Sequence, residues 1–192
     1  VKAVFGLGNP GLRHALSRHN VGFQVIDRYR ESKRIRSPAR AVCSSLVYRD
    51  RDLLLVKPMT FMNESGVAVS AVLSRFSVPL SRALVIYDDL DLPLGRIRIL
   101  TAGGAGSHKG MRSVSDALGT EEIPRLRVGI EVENRSEIGR DFVLGRFSPA
   151  EWEAVQPAFE RAVDAVERFR SEEIEALMTR FNRRSDAVVD RP

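Results

Sequence analysis

Apolar residues come in short bursts along this chain, and the bursts follow two periods. Val1-Lys2-Ala3-Val4-Phe5 and Leu126–Val132 are β-prone runs that predict strands, and Ala83–Tyr87 is apolar throughout, as suits a buried strand that stops at Asp88. Ala41–Tyr48 and Leu53–Lys57 flank the polar stretch Arg49-Asp50-Arg51-Asp52 and predict a hairpin. Arg96–Leu100 alternates charged and apolar residues, the pattern of a half-exposed strand.

Between these runs the period lengthens. Val21, Val25, Ile26 and Tyr29 fall on one face of a helix from about Asn20 to Arg34. A second helix follows Met59–Gly66 and ends near Phe76, and a third spans about Gly110–Leu118. Ser148-Pro149-Ala150-Glu151 reads as a capping box with proline at the first helical position. It opens a helical region that Pro157 should bend. A last helix covers about Glu172–Phe181. Strands and helices interleave without repeat or linker. The expectation is a single-domain α/β protein, residues 1–182, with a mixed β-sheet flanked by helices. Residues 183–192 read as a flexible C-terminal tail.

Composition narrows the classes. The chain's 192 residues suffice for one proper core, and no apolar run is long enough to span a membrane. The first residues enter a strand at once, so no secretory signal is expected. Cys43, placed mid-strand by this reading, is the only cysteine; an internal disulfide is excluded and a reducing cytoplasm fits. The net charge of +5 fits a polyanionic partner, or simply a solvated basic surface.

Gly6-Leu7-Gly8-Asn9-Pro10-Gly11 has the G-x-G-x-x-G spacing of a dinucleotide loop, but its context argues against one. Pro10 has no N–H to offer a phosphate. Leu12-Arg13-His14 lacks the apolar period of a helix. The region about 20 residues on, where an acidic residue should hold a ribose, is the basic stretch Glu31-Ser32-Lys33-Arg34-Ile35-Arg36.

Polar groups suited to chemistry gather in three places. Asn9, His19 and Asn20 form the first. At a helix start, His19 would be kept neutral by the positive helix end and be fit to act as a general base; an ordinary capping histidine is the plainer alternative. Tyr87-Asp88-Asp89-Leu90-Asp91 is the second. Asp88, first past the apolar run, could orient a histidine; the three carboxylates could instead hold magnesium, or form a turn before Pro93. The third is the loop Gly103–Gly110, with His108 and Lys109 at its base, which reads as a mobile cover or a long surface loop. Asn63 could be a helix cap, while Met59, Phe61 and Met62 could be core or the apolar wall of a site. No nucleophile stands paired with a base, so if His19 and Asp88 meet, water is the attacking group.

Taken in order, seven segments resemble the bacterial-type peptidyl-tRNA hydrolase family. They are Gly6–Gly11, Arg18-His19-Asn20, Thr60-Phe61-Met62-Asn63, Asp88–Gly95, the Gly-Ser-His-Lys-Gly loop, Arg125–Ile130 and Val143-Leu144-Gly145-Arg146-Phe147. The resemblance runs from Lys2 to about Asn182. It implies hydrolysis of the ester between a peptide and the 3′ ribose of tRNA, without metal or cofactor, by a cytoplasmic monomer. It implies His19 as base, Asp88 as its partner, and Asn9 and Asn63 as residues that position peptide and water. The glycine-rich loop would flank the cleft. Phe61, Met62, His108, Lys109 and Arg127 would contact substrate.

Arg96, Arg98, Lys109, Arg112 and Arg127 gather in sequence around these segments and could hold phosphates of the acceptor stem and 3′ end. The chain departs from the family pattern at Lys109, where asparagine is usual, at His14, where tyrosine is common, and at Leu100, where a basic residue is common. A non-catalytic RNA-binding relative on the same scaffold is the alternative function, and a metal-dependent phosphohydrolase using Asp88, Asp89 and Asp91 a third.

Overall fold

The computed structural model describes residues 1–35, 40–133 and 139–183. Arg36 of the basic stretch, and residues 184–192 of the expected tail, lie outside them.

Seven strands form one mixed sheet. They are β1 (Lys2–Gly6), β2 (Arg40–Val42), β3 (Ser45–Asp50), β4 (Leu53–Pro58), β5 (Ala83–Pro93), β6 (Ile97–Leu100) and β7 (Arg125–Glu131), in the spatial order β2-β3-β4-β1-β5-β7-β6. The central four, β4-β1-β5-β7, run parallel. Antiparallel strands close both sides. One face is covered by α1 (Val21–Ser32), α5 (Pro149–Phe169) and α6 (Ile174–Phe181), together with the short α4 (Arg140–Leu144). The other is covered by α2 (Ser65–Arg75) and α3 (Lys109–Leu118).

Coverage on both faces explains the apolar runs. Val4, Leu55, Leu84 and Ile86 face α1 and α5, while Ala3, Phe5, Val56 and Val85 face α2 and α3. Each large aliphatic side chain so buried contributes about 1.5–3 kcal/mol. The expected stripe of α1 (Val21, Val25, Ile26 and Tyr29) is wholly buried. Ser148 and Glu151 form both bonds of the capping box at the start of α5.

The glycines of the first loop serve packing. A Cβ on Gly6 would collide with the backbone of Gly22, and one on Gly22 would collide with backbone atoms of Leu7 and Ile86. Two residues without side chains thus let the start of α1 lie directly on the ends of β1 and β5. Gly11 (φ +100°) then turns the chain away from the strand.

Two expectations are corrected. Ala41–Tyr48 is two strands, since Cys43 and Ser44 sit at φ +50° and +51° in a two-residue turn between β2 and β3. Such turns ordinarily carry Asn or Gly, so this one left no signature, and Cys43 is not mid-strand. β5 does not stop at Asp88 but continues to Pro93, taking Asp88, Asp89 and Asp91 into the strand; the turn follows, closed by Arg96 N–H donating to the Pro93 carbonyl. α5 runs from Pro149 to Phe169 with Pro157 inside it.

The outer edge of β6 carries a side-chain device. The Asn182 amide accepts from Ile99 N–H at 2.8 Å and donates to the Ile99 carbonyl at 2.7 Å, as a neighbouring strand would. Among the described residues, no helix is long and apolar enough to cross a membrane.

Candidate active site

The parallel strands β1, β4 and β5 all end at one side of the sheet. β1 leads through α1 over one face and β4 leads through α2 over the other, so chain segments diverge there and leave a crevice. The crevice is a cleft of about 540 Å³. Asn9 enters it after β1, Phe61, Met62 and Asn63 after β4, Asp88 from β5 itself, and His108 and Lys109 from α3 and the loop before it.

His19 lies on a single 3-10 turn, Arg18–Asn20, that leads into α1. Arg18 fixes that turn. Its guanidinium donates to the Phe142 carbonyl at 3.1 Å, pairs with Glu151 at 2.7 Å and lies over the Phe142 ring. Thus α4 and α5 hold the turn from one side. Asn20 holds it from the other, its amide accepting from Asn9 N–H at 2.8 Å and donating to the Asn9 carbonyl at 2.9 Å.

Nδ1 of His19 lies 2.8 and 2.9 Å from the two oxygens of Asp88, which is only 2% exposed. A carboxylate only accepts, so the proton is on Nδ1 and the lone pair on Nε2, at the cleft. Burial lowers the proton affinity of His19. The charge and hydrogen bond of Asp88 outweigh that, Lys109 opposes them, and the net shift is upward from 6.5. A full charge in contact outweighs the partial charge of one helix end, so Asp88 rather than the helix sets the direction. Burial pushes the Asp88 carboxyl up, but His19 and His108 more than reverse it, and the group lies well below the usual carboxylate range.

Asn9 is also placed firmly. Its Oδ1 accepts from Met62 N–H at 2.9 Å, which directs the Nδ2 donor away from that bond and toward the cleft. Asn63 is exposed on the cleft wall and caps no helix; Phe61 and Glu64 stand at the cap positions. Met62 is buried, whereas Phe61 is 54% exposed at the cleft.

Other expected contacts fall elsewhere. Arg127 pairs with Asp89, and neither lines the cleft. Arg112 donates to the Gly106 carbonyl and braces the glycine-rich loop. The cleft's cations are Arg13, Lys109 and Arg140, with His14 beside Arg13. Arg13 and Arg140 were missed by the sequence reading, although both adjoin segments that carried the family resemblance.

The magnesium reading fails on donor chemistry. Asp88 is taken by histidines, Asp89 by Arg127, and Asp91 is exposed with its N–H donating to Asp89. The three carboxylates therefore do not converge.

A buried carboxylate behind a cleft histidine, with no hydroxyl or thiol bonded to that histidine among the described residues, is the arrangement of a hydrolase-type site. Residues 3–188 match the family model described as peptidyl-tRNA hydrolase, and the chain belongs to that family. It is 41% identical to the peptidyl-tRNA hydrolase of Pseudothermotoga lettingae over 95% of this chain and 97% of that one. It is 44% identical to that of Carboxydothermus hydrogenoformans, over 94% and 97%. The crystal structure of peptidyl-tRNA hydrolase from Acinetobacter baumannii superposes with a TM-score of 0.87 at 28% identity, covering 95% of this chain and 94% of that one.

Proposed function

We infer that this chain hydrolyses the ester joining a peptide to the 3′ ribose of tRNA, with His19 as the general base. The observation that carries the role of His19 is its geometry: Nδ1 held by Asp88 and Nε2 at the cleft. Nε2 removes a proton from water as the water oxygen attacks the ester carbonyl. The imidazolium formed is stabilised by Asp88. When the tetrahedral intermediate collapses, the ribose oxygen leaves with the peptide's carboxylate released, and His19 returns its proton to the leaving oxygen. An ester is reactive enough that such help, typically worth 10²–10⁴-fold, accounts for useful turnover without a metal.

Asn9 Nδ2 is the donor for the carbonyl oxygen or the adjoining peptide group, and Asn63 helps position peptide and water. Phe61 and Met62 give the apolar wall. Lys109, with Arg13 and Arg140, attracts the phosphates of the 3′ end, while the acceptor stem lies beyond the cleft mouth. The working form is a cytoplasmic monomer.

The test is hydrolysis of N-acetyl-aminoacyl-tRNA by wild type and His19→Ala, with chelator present. Turnover that chelator leaves intact and His19→Ala abolishes, with the mutant still folded and tRNA-binding, is expected. Equal rates for the two proteins would remove His19 from the chemistry. Tight tRNA binding without wild-type turnover would return the non-catalytic RNA-binding reading.

A further inference from the structure

The ring of His108 also touches Asp88, on an oxygen shared with His19. Its Nε2 lies 3.0 Å from Asp88 Oδ1. At the same time His108 is the N-cap of α3: its Nδ1 accepts from Met111 N–H at 3.0 Å. A nitrogen that accepts a backbone N–H carries a lone pair, so the ring proton of His108 sits on Nε2 and is donated to Asp88. His19 has the opposite tautomer. Two rings, 4.8 Å apart between centroids, thus bring two N–H groups to one buried carboxylate.

We propose that His108 is a positioning residue for the base, acting through Asp88: the cap of α3 fixes its tautomer, and its Nε2–H holds Oδ1 so that the carboxylate stays oriented on His19. This rests on the reading of His19 as the base, and replaces the expectation that His108 binds substrate. His108 is held through both its ring and its backbone. Tyr87 packs against it at 4.7 Å between centroids, and its backbone is tied to Ala105 and Arg112. Arg125 donates to the Gly104, Glu121 and Ile123 carbonyls and anchors the loop that ends at His108.

The same cap argues against a metal on His19, Asp88 and His108, whose ligand atoms lie within 4.8 Å of one another. A metal on His108 Nε2 would require the proton on Nδ1, facing the N–H of Met111. Two donors would then oppose each other at the start of α3.

His108→Asn separates the roles. Asparagine is among the best N-caps and keeps an acceptor for Met111, but it is too short to reach Asp88. Loss of a hydrogen bond to a buried charge should lower kcat about 10-fold or more. KM for N-acetyl-aminoacyl-tRNA should hold. With one donor gone, the charge on Asp88 is less satisfied when His19 is neutral, so His19 binds its proton more tightly. The acid limb of kcat should move to higher pH, and the His19 imidazole NMR titration should move with it. The other groups facing His19 are Arg13 and His14 before its turn, Lys109 on α3 and Arg140 on α4, and all are retained. His108→Gln, whose amide N–H extends about as far as Nε2, should recover much of the rate and return the limb toward wild type.

An unchanged rate and limb in His108→Asn would make His108 a cap only. A rise in KM alone would make it a substrate contact. If His108→Asn does not fold, a His108→Gln protein with a wild-type His19 titration supports the proposal, and one with an upward-shifted titration overturns it. Because the titration is read on the free protein, a shift in a protein that never hydrolyses substrate would fault the functional reading and leave the positioning role intact.

Discussion

His19 and Asp88 are 69 residues apart in sequence and share one proton across 2.8 Å, with the carboxylate buried beneath the ring. The pairing sets two opposing demands. Asp88 strengthens His19 as a base, yet it also raises the pH at which the ring gives up its proton. With His19 as the proposed base, turnover is expected to rise with pH through a value above the ordinary 6.5.

Asp88→Asn should separate these demands. The amide cannot attract imidazolium, so burial and Lys109, both of which lower the proton affinity of His19, would prevail. The acid limb of kcat should move to lower pH while the plateau falls by about 10²–10⁴-fold, with tRNA affinity kept. A pH series of kcat with parallel tRNA binding decides this; a stationary limb would contradict it. Stability follows the same shifts. The raised His19 value means that its share of stability is full below 6.5 and is lost as pH rises through the folded value. The depressed Asp88 value means that its share is present above about 4 and is lost as pH falls.

Lys109→Asn removes a cation that opposes proton binding at His19. Its acid limb should move upward, opposite to Asp88→Asn. If the ammonium meets a phosphate of the single-stranded 3′ end, the slope of log affinity against log salt should shrink by ~0.7. Binding measured across a salt series tests this, and an unchanged slope would free Lys109 from that contact.

Asn9→Asp is nearly the same shape and keeps the oxygen that accepts from Met62 N–H. It replaces the cleft-facing donor with an acceptor. Turnover should fall ~100-fold or more, as when a donor to a developing oxyanion is lost. Wild-type kcat in this variant would show that the Nδ2 donor is not used.

Gly22→Ala should destabilise by about 1–3 kcal/mol, despite the better helix propensity of alanine, because the added methyl meets backbone rather than a movable side chain. A thermal melt should drop by roughly 2–12 °C for a chain of this size. The rate should also fall, since α1 carries the turn that holds His19. A melt at the wild-type temperature would mean that the helix shifts freely.

Most of this architecture was legible in the chain because hydrophobic periods report directly on which faces are covered. His19 and Asp88 could also be found, one by its place before a helix and the other by its place at the end of an apolar run. What escaped depended on distant partners. The strand read as ending at Asp88, since nothing local announced that His19, His108 and Arg127 would let Asp88 and Asp89 stay in a buried strand. Arg127 read as a free cation for the same reason. The turn at Cys43-Ser44 lacks the residues that ordinarily mark one. Arg13, on a 3-10 turn, and Arg140, at the start of α4, reach the cleft only through the tertiary fold.

The amide of Asn182 has a further meaning for the life of this molecule. An open strand is an invitation to a stranger's strand, and growing aggregates begin by accepting it. Here a single carboxamide answers Ile99 on both of its backbone groups, so the border of the sheet is sealed by a residue just beyond the last helix. Any shortening of the chain that reaches this residue would bare Ile99 on the edge of β6 to self-association.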